Sequence, residues 1–377
     1  MTELLRTPVT IVLFFLILGT LVVIHELGHF ITARLAGVRV LEFGIGFPPR
    51  AKVLRAKGET LYTLNWLPIG GFVKLEGEDG DDTDDPRSFV NSPFMTKMVI
   101  LVAGVLMNLV TAFLIFFFIA MLATPLVGLK VPIVEPDSPA AAAGLVTGDT
   151  IVAIDGRRFE FEGRPPDILG QLRANAGNTI TLDLVREDGS REAVQATLRT
   201  EEEIRDPDGT GPLLGKGALG LRPLDNQGWA LDFLDDRATH DPLTATARAG
   251  DQTMMWFGLI LGGLGDLVRG FVDDPTAPPP VAGPIGIATQ IGDVFWTAGP
   301  IMTLYVAGIL SANLALVNAL PFPPLDGGRM LMIALKRMFG RRISVQAERV
   351  TYFVGFAFLM AFLIWVTAFD VFGRGPS

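Results

Sequence analysis

The sequence predicts a polytopic α-helical membrane protein with a β-rich soluble domain inserted between its spans. Three observations predict this class. First, apolar runs recur at Val9 to Ile24, Met98 to Ala123, Ile301 to Leu320 and Tyr352 to Phe369. Runs of this kind suit a hydrocarbon core of about 30 Å. Second, 49% of the 377 residues are hydrophobic, which is high for a soluble chain. Third, between the second and third runs the chain turns to short alternating segments, Gly and Pro turns and many charges. The net charge of −9 provides no basic tract to neutralise phosphates, so a nucleic-acid partner is excluded.

Residues 1–36 form the first expected span, since the apolar run that begins at Val9 continues to Leu35. A cleaved signal peptide is the alternative, but no small-residue cleavage site follows, so the span is expected to be retained. Within it, Ile24-His25-Glu26-Leu27-Gly28-His29 reads H-E-x-x-H. Residues four apart on a helix lie about 40° apart around the axis, so His25 and His29 share a face. Two neutral imidazoles on one face can bind one metal ion, most often zinc. Glu26 lies about 100° round from His25, which leaves its carboxylate near the metal, able to take a proton from bound water. The alternative is a pair of helix histidines facing a polar cavity. Against it, ionisable residues inside an apolar segment are costly and point to function. The chain has no cysteine and only three histidines, so a third ligand is expected from a carboxylate.

Residues 37–94 are polar with short apolar interruptions. Tyr62 to Leu67 and Gly70 to Leu75 read as two short strands around a Pro-Ile-Gly-Gly turn. The pair is either an ordinary surface hairpin or an edge near the metal, where Gly71, Phe72 and Val73 could pair with an extended peptide. The acidic run Glu76 to Asp85 is expected to be a solvated loop. Residues 95–124 carry the second span, with Gly104 and Asn108 four apart on one face. Gly permits close helix approach and Asn in a span finds a partner across the interface, so packing and a direct role both stay open.

In residues 127–224, Ser138-Pro139 is expected to cap a short alanine helix that Gly144 ends. Thr150 to Ile154 should be a strand, and Asp155-Gly156 its hairpin turn. The string from Val134 to Gly156 resembles a PDZ domain, a module that binds extended peptide ends by strand addition. One copy is present. Residues 239–290 hold an interrupted apolar segment, Thr253 to Val272, then a Pro-rich linker from Pro275 to Pro284. His240 is expected on the surface.

Residues 298–328 carry the third span, which ends in Asn318-Ala-Leu-Pro321-Phe-Pro323-Pro-Leu325-Asp326-Gly-Gly. The prolines break the helix, and Asp326 sits just past the break. It is the candidate third ligand, an acid closing an apolar span, or else a turn residue. Residues 329–347 read as an amphipathic interfacial helix followed by basic residues, and 348–371 as the fourth span.

Taken together, H-E-L-G-H in the first span, N-x-x-P-x-P-x-L-D-G in a late span, and a PDZ-like string between them resemble the site-2 protease family, most closely its bacterial RseP-type branch. The resemblance spans nearly the whole chain in the right order. Gly-Gly-Phe-Val-Lys, Gly104 to Asn108 and Gly283-Pro-Ile-Gly-Ile match further stretches of that family. It implies a zinc-dependent intramembrane protease with a membrane-associated β-hairpin and an extracytoplasmic PDZ domain. Its substrates would be single-pass membrane proteins already trimmed by another protease, such as anti-sigma factors or remnant signal peptides. His25, His29 and Asp326 would hold Zn²⁺ and Glu26 would be the base. By position, Asn313 and Asn318 match the family's substrate-holding asparagines, with interhelical bonding as the alternative. Two departures stand out. The enterobacterial type has two PDZ domains, and Arg329 follows Asp-Gly-Gly where His is frequent. Because Arg329 lies beyond the ligand, catalysis is expected to survive. A metal transporter is the rival class, but it would need more ligands along the spans.

Topology follows from the ligands. Sharing one ion requires the first span and the span from Ile301 to run in the same direction. The segment from Thr253 to Val272 would break that parity if it crossed, so it is expected in the interface or re-entrant, giving four spans in all. Arg34, Arg39, Arg50, Lys52, Arg55 and Lys57 follow the histidines, and Lys336, Arg337, Arg341, Arg342 and Arg349 follow Asp326. The positive-inside rule then puts both connections in the cytoplasm of a bacterium, with the PDZ domain and both termini outside the inner membrane.

Overall fold

The computed structural model describes residues 2–56, 58–78, 84–204, 217–223, 229–274, 279, 281–340 and 343–372. The chain divides into two compact units, residues 1–117 with 249–377, and residues 118–248. Among the described residues, five helices are long and apolar enough to cross a membrane, so the protein has the build of a polytopic membrane protein.

The first helix, α1, spans Thr2–Leu35. It ends where Gly37 takes φ +76°, and the Val38 amide turns back onto the Ala33 carbonyl at 2.9 Å. Only a residue free of Cβ crowding adopts that φ readily, so Gly37 sets the stop. Two long strands follow, β1 (Val40–Arg55) and β2 (Leu61–Leu75), paired antiparallel with several register shifts. The turn expected near Gly70 lies inside β2. Its two halves do not form a hairpin with each other; both lie against β1, with Ile45 opposite Leu64 in one half and Gly71 in the other. The whole of β1 escaped the sequence reading because its Gly, Pro and Arg content mimics a loop.

Helix α2 (Phe94–Leu122) starts four residues before the expected Met98. It packs on α1 through two glycines. A Cβ on Gly28 would lie 2.5 Å from the Ala103 carbonyl oxygen, and one on Gly104 would lie 2.4 Å from His29 Nε2.

The unit of residues 118–248 contains β3 (Thr124–Lys130), β4 (Ile133–Val134), α3 (Pro139–Ala142), β5 (Thr150–Ile154) and β6 (Arg157–Glu160). It continues with α4 (Ile168–Ala174), β7 (Thr179–Val185), β8 (Arg191–Thr197), α5 (Glu201–Ile204), β9 (Leu221–Arg222) and β10 (Leu231–Ala238). The main sheet has the order β10-β3-β6-β5-β7-β8, and β4 pairs with β9. Strand β10 lies past residue 224, so the sheet exceeds the expected limit of this region. Period-2 alternation buries Ile180, Leu182 and Leu184 of β7 against Val127, Leu129 and Ile151. Ser138 accepts from the Ala141 amide at 3.1 Å and caps α3. Asp155 and Gly156 both have positive φ, as a two-residue turn matching strand twist requires. His240 is not a free surface residue: its Nε2 lies 3.1 Å from Glu160 Oε2, and its side chain is largely covered.

Helix α6 (Pro242–Asp273) is continuous over 32 residues. No break interrupts it. Helix α7 (Pro284–Ala319) bends at Gly299, whose φ of +80° is not helical, just before Pro300. Its first part, residues 284–298, was expected to be partly linker. Asp370 holds this start, accepting from the Gly283 and Gly286 amides at 3.1 and 2.8 Å. Of the Pro-rich stretch, residues 275–278 and 280 lie outside the described residues. Helix α8 (Asp326–Phe339) begins at Asp326 itself, three residues before the expected start at 329, and α9 (Val345–Phe372) ends the described chain.

Candidate metal centre

Three elements bring the centre together. α1 supplies His25 and His29 one turn apart, and their Nε2 atoms lie 3.1 Å from each other. α8 supplies Asp326, whose Oδ2 lies 2.9 Å from His25 Nε2 and 3.2 Å from His29 Nε2. Asp326 is placed by the tight turn between α7 and α8. A Cβ on Gly327 would lie 2.2 Å from the Leu320 carbonyl oxygen, and one on Gly328 would lie 2.5 Å from Phe322 and Pro323 backbone atoms. The two glycines therefore let the chain fold back on itself, and the motif's prolines end α7 at Ala319.

The donor set fits a zinc ion. Tetrahedral ligands at about 2.0–2.1 Å from zinc sit about 3.3 Å from one another, close to the three separations here. Asp326 Oδ2 is buried with no hydrogen-bond partner among the described residues. Both histidines are buried as well, at 6% and 8% exposure. Two imidazole lone pairs and a buried carboxylate oxygen crowded together repel unless a cation lies between them. His25, His29 and Asp326 are also the only described group of three or more His, Asp or Glu side chains with this spacing.

The surroundings orient the rings. His29 Nδ1 lies 2.8 Å from the Ile100 carbonyl oxygen, to which it can only donate, so Nε2 presents its lone pair to the centre. Asn108 is fully buried and its side chain meets His25 Nδ1 at 3.4 Å, while its Oδ1 is unpartnered. Rotating this amide by half a turn aims Oδ1 at a His25 Nδ1 proton and gives both rings the same arrangement. Ser311 on α7 fixes the Asn108 backbone carbonyl at 2.7 Å. The two roles left open for Gly104 and Asn108 are thus combined: Gly104 admits the histidine rings, and Asn108 touches one of them.

A cavity of about 380 Å³ opens beside the three residues, lined among others by Glu26, His29, Gly71, Val73, Glu78, Asp326 and Arg329. Glu26 Oε2 accepts from the Val73 amide at 3.0 Å, so the candidate base touches the candidate edge strand. Phe72 also lines the cavity, whereas Asn313 and Asn318 do not. Those two are half-buried on α7, and neither amide makes a hydrogen bond among the described residues. Two cavity residues were not read as part of the site: Glu78, and Arg329, which was noted only as a departure beyond the ligand. Glu78 sits in the acidic run expected to be solvated, of which residues 79–83 lie outside the described residues. Instead it pairs with Arg329. Arg329 follows Asp326 by three on the same helix, a spacing that would have revealed it had α8 been started at Asp326.

A buried two-histidine, one-carboxylate centre with an adjacent glutamate on apolar helices defines the class of membrane metallopeptidases. Peptidase family M50 matches residues 13–362, and the chain belongs to it; this is the site-2 protease family. A Clostridium perfringens protein provisionally named a zinc metalloprotease is 31% identical, over 94% of this chain and 96% of its own length. Zinc metalloprotease RasP of Geobacillus kaustophilus is 26% identical over 97% of this chain and 98% of its own length. The protein is a membrane-associated zinc metalloendopeptidase, and Zn²⁺ is its cofactor.

Proposed function

We propose that this peptidase cleaves single-pass membrane proteins within or beside their transmembrane segment, after another protease has trimmed them. The observation that carries the reading is one cavity in which His29, Asp326, Glu26 and the edge of β2 away from β1 meet, with His25 Nε2 2.9 Å from Asp326 Oδ2. His25 Nε2, His29 Nε2 and Asp326 Oδ2 are the zinc ligands. Zinc held there supplies Lewis-acid polarisation of a scissile carbonyl and a water. Glu26 takes the proton from that water on its carboxylate and hands it to the leaving nitrogen. Gly71, Phe72 and Val73 offer backbone groups to an unwound substrate strand. Glycine at 71 keeps β2 close to β1, since a Cβ there would lie 2.8 Å from the Gly44 carbonyl oxygen. Asn313 and Asn318 are candidates to hold the rest of the substrate. Cells carrying Glu26→Gln should accumulate trimmed single-pass stubs that cells with the native enzyme lack; identical stub profiles would count against this reading.

The unit of residues 118–248 is read as a PDZ-type domain selecting substrates outside a bacterial inner membrane, with the zinc centre toward the cytoplasm. α6, the least apolar of the five long helices, is read as interfacial, which keeps four crossings. Because the chain has no cysteine, introduced ones report the side directly. A cysteine at Ser190 should react with an impermeant thiol reagent in spheroplasts and one at Ser344 should not. The reverse pattern overturns the orientation.

A further inference from the structure

Residues 71–75 of β2 have two edges. One lies on β1, with Gly44 opposite Phe72 and Phe43 opposite Val73. Alternate amides of a strand point to the same side. On the side away from β1, the Val73 amide donates to Glu26 Oε2 and the Leu75 amide to Glu78 Oε2, both at 3.0 Å. An added strand would use donors of this kind, and here each is capped by a carboxylate. Glu78 is itself held, because its Oε1 accepts from Arg329 Nη1. Arg329 stands one helical turn after Asp326 and lines the same cavity. The side chain of Glu78 is 14% exposed, so the cap is an inner feature of the cavity and not a solvated surface pair.

We infer that Glu78, anchored by Arg329, is a substrate-positioning residue that occupies the place of a substrate carbonyl on the Leu75 amide and yields it when a strand is added. The inference rests on the proposed strand addition at this edge. The incoming backbone replaces Glu78 at Leu75 and Glu26 at Val73 together, so Glu26 is released to act as a base only when the edge is filled. Unpaired strand edges capture any extended chain. Capping them makes the site selective for a strand that offers two carbonyls at a two-residue spacing. The cap also ties α8, which carries Asp326, to the end of β2, so the edge keeps its register with the zinc centre.

The test uses the full-length, zinc-loaded protein with Glu78→Ala, Glu78→Gln and Arg329→Met. Loss of a charged acceptor from Leu75 spares the substrate the cost of displacing it. The KM for a membrane-anchored test helix should therefore fall about threefold to tenfold in Glu78→Ala, with kcat moving less. Glu78→Gln, which keeps the shape and a weaker acceptor, should fall between native and Ala, and Arg329→Met should shift in the same direction. In the empty enzyme, hydrogen exchange at the Leu75 amide should speed up in Glu78→Ala. A purely structural role would lower stability or kcat without lowering KM. Unchanged Leu75 exchange, or a raised KM in Glu78→Gln, overturns the inference. Absence of cleavage by the native enzyme would instead count against the proposed activity, and the exchange measurement would still decide the cap.

Discussion

Replacing Glu26 with Gln is expected to lower cleavage by about 10²–10⁴-fold, the usual contribution of a positioned general base, while zinc stays bound. Gln keeps a carbonyl oxygen for the Val73 amide, which Glu26 Oε2 now accepts at 3.0 Å, so the local structure should persist. What it loses is the ability to take up a proton. Because Glu26 is not among the three clustered ligand atoms, its replacement leaves the donor set untouched. Elemental analysis beside a cleavage assay separates the two properties. Normal turnover by Glu26→Gln would remove the residue from the mechanism.

Asp326→Asn should lose both zinc and activity. The carboxylate oxygen lies 2.9 and 3.2 Å from the two histidine nitrogens and has no other partner to justify its burial. Changing an outer partner of a ligand typically costs about 10–100-fold in metal affinity, and removing the ligand's charge costs more. The α7–α8 turn should survive, since the close packing of Gly327 and Gly328 sets it. Circular dichroism should therefore show retained helix while the zinc content collapses. His25→Ala and His29→Ala should behave alike. Full zinc occupancy in Asp326→Asn would exclude it as a ligand.

The residues of the centre were legible in the sequence because each stands against an apolar background. His25, Glu26 and His29 interrupt the apolar run of α1 between Arg6 and Arg34, and Asp326 follows a proline cluster that can only break a helix. Strand β1 was not legible, because its Gly46, Pro48, Pro49 and basic residues carry loop chemistry, and only pairing with both halves of β2 makes it a strand. The start of α7 was hidden for a similar reason. Gly283-Pro284 reads as a loop until Asp370, far along the chain, supplies the acceptor for its free amides. Glu78 was missed because a charged loop residue looks solvated when read singly, and Arg329, noted only as a departure from the family pattern, gave no sign of its partner. Their pairing is a property of the fold.

Under the proposed function, zinc-dependent cleavage takes place inside the apolar segment of a membrane-anchored chain. The most direct measurement incubates purified native enzyme with a single-pass test helix in bilayers and maps the cut by mass spectrometry, before and after chelation and with zinc restored. One or a few cuts within or at the border of the apolar segment are expected, lost on chelation and recovered with zinc. Cuts confined to the soluble part of the substrate, or cleavage that survives chelation, would contradict the proposed function.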